Sequence, residues 1–262
     1  MTDFSQNRLL LGCGLIRIGR EWGSPLKKVP TQERALQFLK AAFANRIRFF
    51  DTAPAYGSSE TRLGQFLKTL NSTKRSKIIV ATKFGEHWLG KNKGTEVNHS
   101  YQALVGSLDQ SLRLLGHIDL LQLHKATQEL LVDPAVNRAL EYALAKGVRW
   151  LGASISNLGA GLKAVQDQRF QFIQLPFNHS RQELLPVIEA AIDHDKFIVF
   201  NRPFAMGSVV SGVGALSKER HILSAFNLIA QTGAKGVILT GTANKKHLLE
   251  NIAGFNRVMG DE

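Results

Sequence analysis

Arg48-Phe49-Phe50-Asp51-Thr52-Ala53-Pro54-Ala55-Tyr56-Gly57-Ser58-Ser59-Glu60 is the stretch on which the reading of this chain turns. An apolar, strand-like run ends on a carboxylate, and the loop after it carries a phenol. The next such run, Ile78-Ile79-Val80-Ala81-Thr82-Lys83, ends on a lysine; the one after that, Ile118-Asp119-Leu120-Leu121-Gln122-Leu123-His124, ends on a histidine. Each group has an ordinary explanation when taken alone: Asp51 as a loop cap, Tyr56 as rim packing, Lys83 as a surface charge, His124 as a satisfied polar residue. Together, at successive strand ends, they meet in space only if the strands lie side by side and parallel.

Working outward, short β-branched runs alternate with longer segments of helical period, the pattern of βα units. Strands are expected over 9–13, 47–51, 78–82, 118–123, 148–153, 172–175, 197–200 and 237–239. Helices are expected over 31–45, 59–70, 99–115, 134–146, 158–166, 181–194, 221–232 and 244–253. Regular alternation without a composition break favours a closed (β/α)8 TIM barrel over a doubly wound sheet, as one domain over residues 1–262. Ser59 reads as a helix cap, Asp133-Pro134 as a cap with proline in the first turn, and Gly116, Gly147 and Gly233 as helix stops. In such a barrel the C-terminal ends of the strands surround the site. Asp51, Tyr56, Lys83 and His124 then face one mouth.

Composition narrows the classes. With 44% hydrophobic and 21% charged residues the chain is an ordinary globular protein, long enough to bury a core without staples. The single cysteine, Cys13, excludes an internal disulfide framework and suits a reducing compartment. Met1-Thr2-Asp3-Phe4-Ser5 has no basic, then apolar, leader pattern, and no apolar run reaches membrane-spanning length, so a cytoplasmic protein is expected. The formal net charge of +12 allows a nucleic acid, an acidic surface or a polyanionic small molecule as partner. The cations are scattered, however, with only short clusters such as Lys27-Lys28, Lys74-Arg75 and Lys245-Lys246, and no nucleic-acid-binding signature accompanies them. No metal-ligand spacing is present, and nothing in the sequence sets an oligomeric state.

These residues resemble the aldo-keto reductases, NAD(P)H-dependent carbonyl reductases on a (β/α)8 barrel. Phe50-Asp51-Thr52-Ala53 with Tyr56-Gly57-Ser58-Ser59-Glu60 and Leu63-Gly64 is similar to the family's strand-two signature. Thr82-Lys83 is similar to its strand-three lysine, and the run from Ser111 to His124 to the segment bearing its histidine. The resemblance implies a catalytic tetrad of Asp51, Tyr56, Lys83 and His124, with Tyr56 as proton donor to a small-molecule carbonyl. Lys83 is expected to lower the Tyr56 pKa, Asp51 to hold Lys83, and His124 to polarise the carbonyl.

The resemblance also implies NADPH, or NADH, held by the second half of the chain. Gln174 matches the family glutamine at the carboxamide. Its Ser-Asn partner aligns either with Ser154, the favoured reading, or with the shifted pair Ser156-Asn157; Asn157 and Ser154 also read as helix caps. Arg202, in Asn201-Arg202-Pro203-Phe204, stands where many relatives place a stacking tyrosine, and is read toward the pyrophosphate or toward solvent. Gly241 and Thr242 match a phosphate-binding turn, Lys246 or Lys245 and His247 positions near a 2′-phosphate, and Glu250 and Asn251 contacts to adenine. Trp22, Phe84 and Trp88 are expected to line the mouth, the last on a long loop after Lys83. The chain is shorter than vertebrate reductases, which implies an open pocket. A nucleotide-binding sensor or regulatory subunit on the same fold is the alternative.

Overall fold

The computed structural model describes residues 8–23, 26, 28–208 and 214–260. The N-terminal segment read for a leader and Lys27 of the Lys27-Lys28 pair lie outside the described residues. In chain order the first half runs β1 (Leu9–Gly14), α1 (Ile16–Gly19), α2 (Gln32–Ala44), β2 (Phe49–Asp51), α3 (Ser59–Lys68), α4 (Ser72–Arg75), β3 (Ile79–Phe84), β4 (Glu86–Gly90), β5 (Gly94–Val97) and α5 (Tyr101–Leu115). The second half runs β6 (Leu120–Leu123), α6 (Pro134–Ala145), β7 (Trp150–Ser154), α7 (Leu158–Gln166), β8 (Phe170–Pro176), α8 (Leu185–Asp193), β9 (Phe197–Asn201), α9 (Ala215–Ala230), β10 (Gly236–Thr240) and α10 (Lys245–Met259). All strands except β4 and β5 form one closed barrel in the order β1-β10-β9-β8-β7-β6-β3-β2, every pair parallel. This is the expected (β/α)8 TIM barrel.

Successive side chains on a strand point to opposite faces, which splits the core in two. Phe49, Ile79, Ala81, Leu120, Phe172, Val199, Val237 and Leu239 fill the barrel interior. Their neighbours in sequence, among them Phe50, Val80, Leu121, Ile173 and Ile238, pack outward against the helices. Buried on both faces, these strands read as continuous apolar runs rather than alternating ones. Moving two residues toward the C-terminal end along the interior columns turns Phe49 into Asp51, Ala81 into Lys83, Leu120 into Gln122, Phe172 into Gln174 and Val199 into Asn201. The apolar floor thus carries a polar layer on the side where the loops open.

Local chemistry sets the helix starts. Thr31, Ser100, Asp133, Asn157 and Asn244 each accept a hydrogen bond from an amide in the first turn of α2, α5, α6, α7 and α10. Gly116, Gly147 and Gly233 have φ of +83°, +86° and +71°, as expected of helix stops. Ser59 is a correction. It is fully buried, its hydroxyl donating to the Leu15 carbonyl at 3.1 Å and accepting from Thr52 at 2.8 Å, so it ties the start of α3 to the residues just after β1 and β2 and caps nothing. The segment after Lys83 is a second correction: β4 and β5 pair as an antiparallel hairpin over the barrel mouth, where the sequence suggested a loop.

Candidate active site

Asp51 and Lys83 are 1% exposed, with Lys83 Nζ 2.7 Å from both carboxylate oxygens and 3.0 Å from the Thr52 carbonyl. Gln122 donates to Asp51 Oδ1 at 3.0 Å and Gln174 at 3.4 Å, so the carboxylate is held by one ammonium and two amides. Register explains the meeting: Lys83 stands opposite Gln122, and Ser154 opposite Gln174. Burial works against the Lys83 charge, but Asp51 and Tyr56 outweigh it and keep the ammonium above the ordinary lysine value. A buried pair so fully bonded is a fixed dipole beneath the mouth, its ammonium held beside the Tyr56 ring.

Tyr56 closes a single 3-10 turn, Pro54–Tyr56, on the loop after β2, and its ring lies 4.9 Å from Lys83 Nζ. Burial raises the phenol above the usual tyrosine value; Lys83 pulls it down, while Asp51 and Glu86 add to the rise. The expected lowering by Lys83 is therefore present but loses to desolvation, and the net direction is upward. Tyr56 is a neutral hydroxyl at neutral pH.

The His124 ring meets the Tyr56 ring edge-on with centroids 6.1 Å apart. Burial, then Lys83, Lys125, His99 and Arg20, hold the imidazole well below the ordinary histidine value, so it too is neutral. Its Nδ1 lies 3.2 Å from Glu86 Oε2 without the alignment of a hydrogen bond. Glu86, 5% exposed at the base of the hairpin, is also paired with Lys125 at 2.8 Å. His99 fixes the His124 backbone through a 2.8 Å contact to its carbonyl.

A cleft of about 1320 Å³ runs from these groups along the barrel mouth to the start of α10. Its lining includes Asp51, Tyr56, His124, Ser154, Gln174, Arg202, Gly241, Thr242, His247, Asn251 and Trp22 among the expected residues. Lys83, which lies beneath Asp51, and Phe84, Trp88, Asn157, Lys246 and Glu250 are not in the lining. Phe84 follows Lys83 and so points to the opposite face of β3, fully buried against the helices. Asn157 is spent as a cap, its Oδ1 accepting from the Ala160 amide at 2.9 Å. Trp88 stands behind Arg20, whose guanidinium lies 4.7 Å from its ring centre. Lys246 is exposed, and Glu250 forms an ion pair with Lys218. The first amides of α10 are already taken, since Asn244 Oδ1 accepts from Lys246 and His247 at 2.8 and 3.3 Å. That leaves the turn at Gly241 and Thr242 as the open backbone there.

Gln122, Asn201, Glu86 and Arg20 are site residues that the sequence reading missed. The first two carried a signal: each is a lone polar residue at an inward position of an apolar strand. The other two depend on how loops fold back, which no local pattern states.

One glycine couples packing to this geometry. A Cβ on Gly19 would lie 1.8 Å from the Tyr56 carbonyl and 2.6 Å from the Ser59 amide. Gly19→Ala is expected to push the Tyr56 turn aside, costing about 1–3 kcal/mol of stability and lowering turnover. Gly106→Ala, with nothing within 4 Å in α5, is the control and is expected to be neutral or mildly stabilising. Parallel thermal melts and rate measurements check both; equal behaviour of the two variants would break the link.

Comparison with known proteins places this geometry. The model of the Aldo/keto reductase family matches residues 10–215. The chain belongs to the aldo/keto reductase family. Curated relatives within the family include the aldo-keto reductase ausK of Aspergillus calidoustus, 35% identical over 54% of this chain and 37% of that protein. Another is the aldo-keto reductase YhdN of Bacillus subtilis, 29% identical over 58% of this chain and 44% of that protein. The chain thus matches less than half the length of either. Among solved structures, PA4992 of Pseudomonas aeruginosa, assigned to the aldo-keto reductases, superposes with a TM-score of 0.79 at 25% identity, covering 95% of this chain and 89% of that one. The holo form of an aldo-keto reductase from Bacillus halodurans shares the fold at a TM-score of 0.73 and 22% identity, covering 93% and 85%. No helix among the described residues is long and apolar enough to cross a membrane.

Proposed function

We propose that this protein is an NADPH-dependent oxidoreductase that reduces an aldehyde or ketone to the alcohol, with Tyr56 as proton donor. The observation that carries the reading is the fully bonded Asp51–Lys83 pair set beneath a neutral Tyr56 at one end of a long cleft. Family membership supports the reaction class.

The residues present fit a nicotinamide dinucleotide. Gln174 Oε1 and Asn201 Oδ1 are buried acceptors without a hydrogen-bond partner, and both residues line the cleft. Buried polar atoms left open in this way suit the amide hydrogens of a carboxamide. Gln174, Asn201 and Ser154 would hold that end, and Gly241, Thr242, His247 and Asn251 the other. When bound, the cofactor supplies hydride to the carbonyl carbon. The chain's own groups handle the oxygen. Tyr56 gives its proton to the developing alkoxide, and Lys83 stabilises the phenolate left behind. Asp51, Gln122 and Gln174 hold the lysine and its carboxylate in place. Neutral His124 donates one hydrogen bond toward the carbonyl oxygen and fixes its approach. Because His124 stays neutral across physiological pH, kcat/KM carries no inflection from it near the ordinary histidine pKa.

Residues 1–262 act in this reading as one cytoplasmic unit that needs no metal. Titrating the protein with NADPH and NADH by fluorescence, then adding aldehydes and ketones and following oxidation of the nicotinamide, tests it. Binding without turnover on any carbonyl would turn the reading into a nucleotide sensor; no binding would end it. His247→Ala is expected to weaken NADPH by about tenfold and NADH less, as loss of one contact to a charged group predicts. Lys246→Ala, outside the cleft lining, is expected to do less. Equal losses for the two cofactors would take His247 away from the 2′-phosphate.

A further inference from the structure

The cleft is strongly basic on its walls. Arg17, Arg20, Lys125, Arg181, Arg202 and Lys218 line it, against Asp51 and Glu86 as its acids. Asp51 is neutralised by Lys83, and Glu86 by Lys125. Most of the cations are spent as well. Arg17 donates to the Trp22 carbonyl at 2.6 Å, Arg181 pairs with Glu183 at 2.7 Å, and Lys218 pairs with Glu250. Two guanidinium groups remain, those of Arg20 and Arg202, and neither hydrogen-bonds to or pairs with an acid among the described residues.

These two arginines are built into one place. Their guanidinium carbons lie 5.1 and 5.8 Å from the ring centre of Trp22, and Trp88 takes Arg20 at 4.7 Å. Arg20 is therefore held against two indoles, with its Nε buried and unpartnered. The stack adjoins the chemistry: a Cβ on Gly57, next to Tyr56, would lie 3.3 Å from the Arg20 Cβ. Burial lowers the Arg20 pKa, and Glu86 and Tyr56 are the groups pulling it back. The Arg202 pKa is lowered by burial and by Arg181, with Tyr56 opposing. A cation set over aromatic rings, partly desolvated and without an acid partner, is a good receptor for a planar or tetrahedral oxyanion.

We infer that Arg20 and Arg202, both set over the Trp22 ring, line an anion subsite beside Tyr56, and that the substrate is a carbonyl compound bearing a carboxylate or phosphate group. The inference deepens the proposed reductase and rests on it. The subsite orients the carbonyl by its charged end, and the excess positive charge of the chain draws such substrates toward the mouth.

The test uses paired substrates on the full chain: 4-oxobutanoate against butanal, and glyceraldehyde 3-phosphate against glyceraldehyde, with NADPH. The wild type is expected to favour the charged member of at least one pair by about 10- to 100-fold in kcat/KM, the worth of a charge-assisted hydrogen bond. Which pair shows the larger ratio separates carboxylate from phosphate. Arg20→Gln is expected to remove that preference through KM, the charged aldehyde losing far more than its neutral partner, while the NADPH affinity holds. Arg202→Gln is expected to do the same in part. Succinate and inorganic phosphate give a readout apart from turnover, because two of the three tryptophans flank Arg20. One or both anions are expected to change wild-type tryptophan fluorescence saturably, and neither to change that of Arg20→Gln. Equal rates for charged and neutral aldehydes would overturn the subsite and leave the reductase standing. Loss of NADPH affinity in Arg20→Gln, with the substrate preference intact, would assign this arginine to the cofactor's phosphates instead. If NADPH binds and no aldehyde turns over, the reductase reading fails, and the fluorescence titration alone decides the subsite.

Discussion

Tyr56→Phe is expected to lower carbonyl reduction by about 10²–10⁴-fold while leaving the fold and the cofactor affinity nearly unchanged. The substitution removes one hydroxyl from a ring whose edge contact with His124 and place above Lys83 are otherwise kept. Among the described residues, no other neutral O–H or N–H of comparable acidity stands beside the Asp51–Lys83 pair: the Gln122 and Gln174 amides do not release protons, and the His124 ring is held neutral. The phenol pKa is raised by burial, so the wild-type donor is fully loaded at neutral pH. Its rate should hold across the neutral range and fall only on the alkaline side, as the phenol ionises. In Tyr56→Phe that alkaline limb should vanish along with most of the rate. Steady-state rates against pH, with NADPH fluorescence as the binding control, measure both. Undiminished turnover in the variant would remove Tyr56 from its role.

How much of this was legible in the sequence follows from which interactions are local. The barrel was legible because each strand is buried on both faces and so reads as an unbroken apolar run. The meeting of Asp51, Tyr56, Lys83 and His124 at one mouth was legible because each ends or follows such a run. Gln122 and Asn201 obeyed the same period-two rule and were open to it: each lies two residues beyond an interior apolar position, Leu120 and Val199. Phe84 was misplaced by ignoring that rule, since the residue after Lys83 must face away. Asn157 was ambiguous because an amide oxygen suits a helix cap as well as a ligand, and backbone geometry decides between them. The Glu86–Val97 hairpin hid behind Gly90 and Gly94, whose positive φ values bend strands that are individually short and partly polar. The contacts of Arg20 and Arg202 with Trp22 join residues far apart in the chain, and no window along the sequence contains them.

Lys83→Met is expected to be the most damaging single change to the fold within the site. The ammonium is 1% exposed and satisfies both oxygens of a carboxylate that is equally buried. Removing it leaves Asp51 with two amide donors and no counter-charge, a loss of about 3–5 kcal/mol by the usual cost of stranding a buried ion. For a chain of this size that is a drop in Tm of about 10 °C. Activity should vanish as well, since the charge that stabilises the Tyr56 phenolate goes with the lysine. Stability and catalysis can be separated by the second substitution. Lys83→Met with Asp51→Leu removes the stranded carboxylate and places two apolar side chains above Ala81 and Phe49, continuing the interior columns. Buried ion pairs replaced by apolar groups of similar volume are near neutral for stability. The double variant is expected to recover most of the lost Tm and none of the activity. Thermal melts and NADPH oxidation on the two variants measure this. A double variant as unstable as Lys83→Met would mean that packing around the pair, rather than its charge, holds this end of the barrel; recovered activity would mean that the ammonium is not what serves Tyr56.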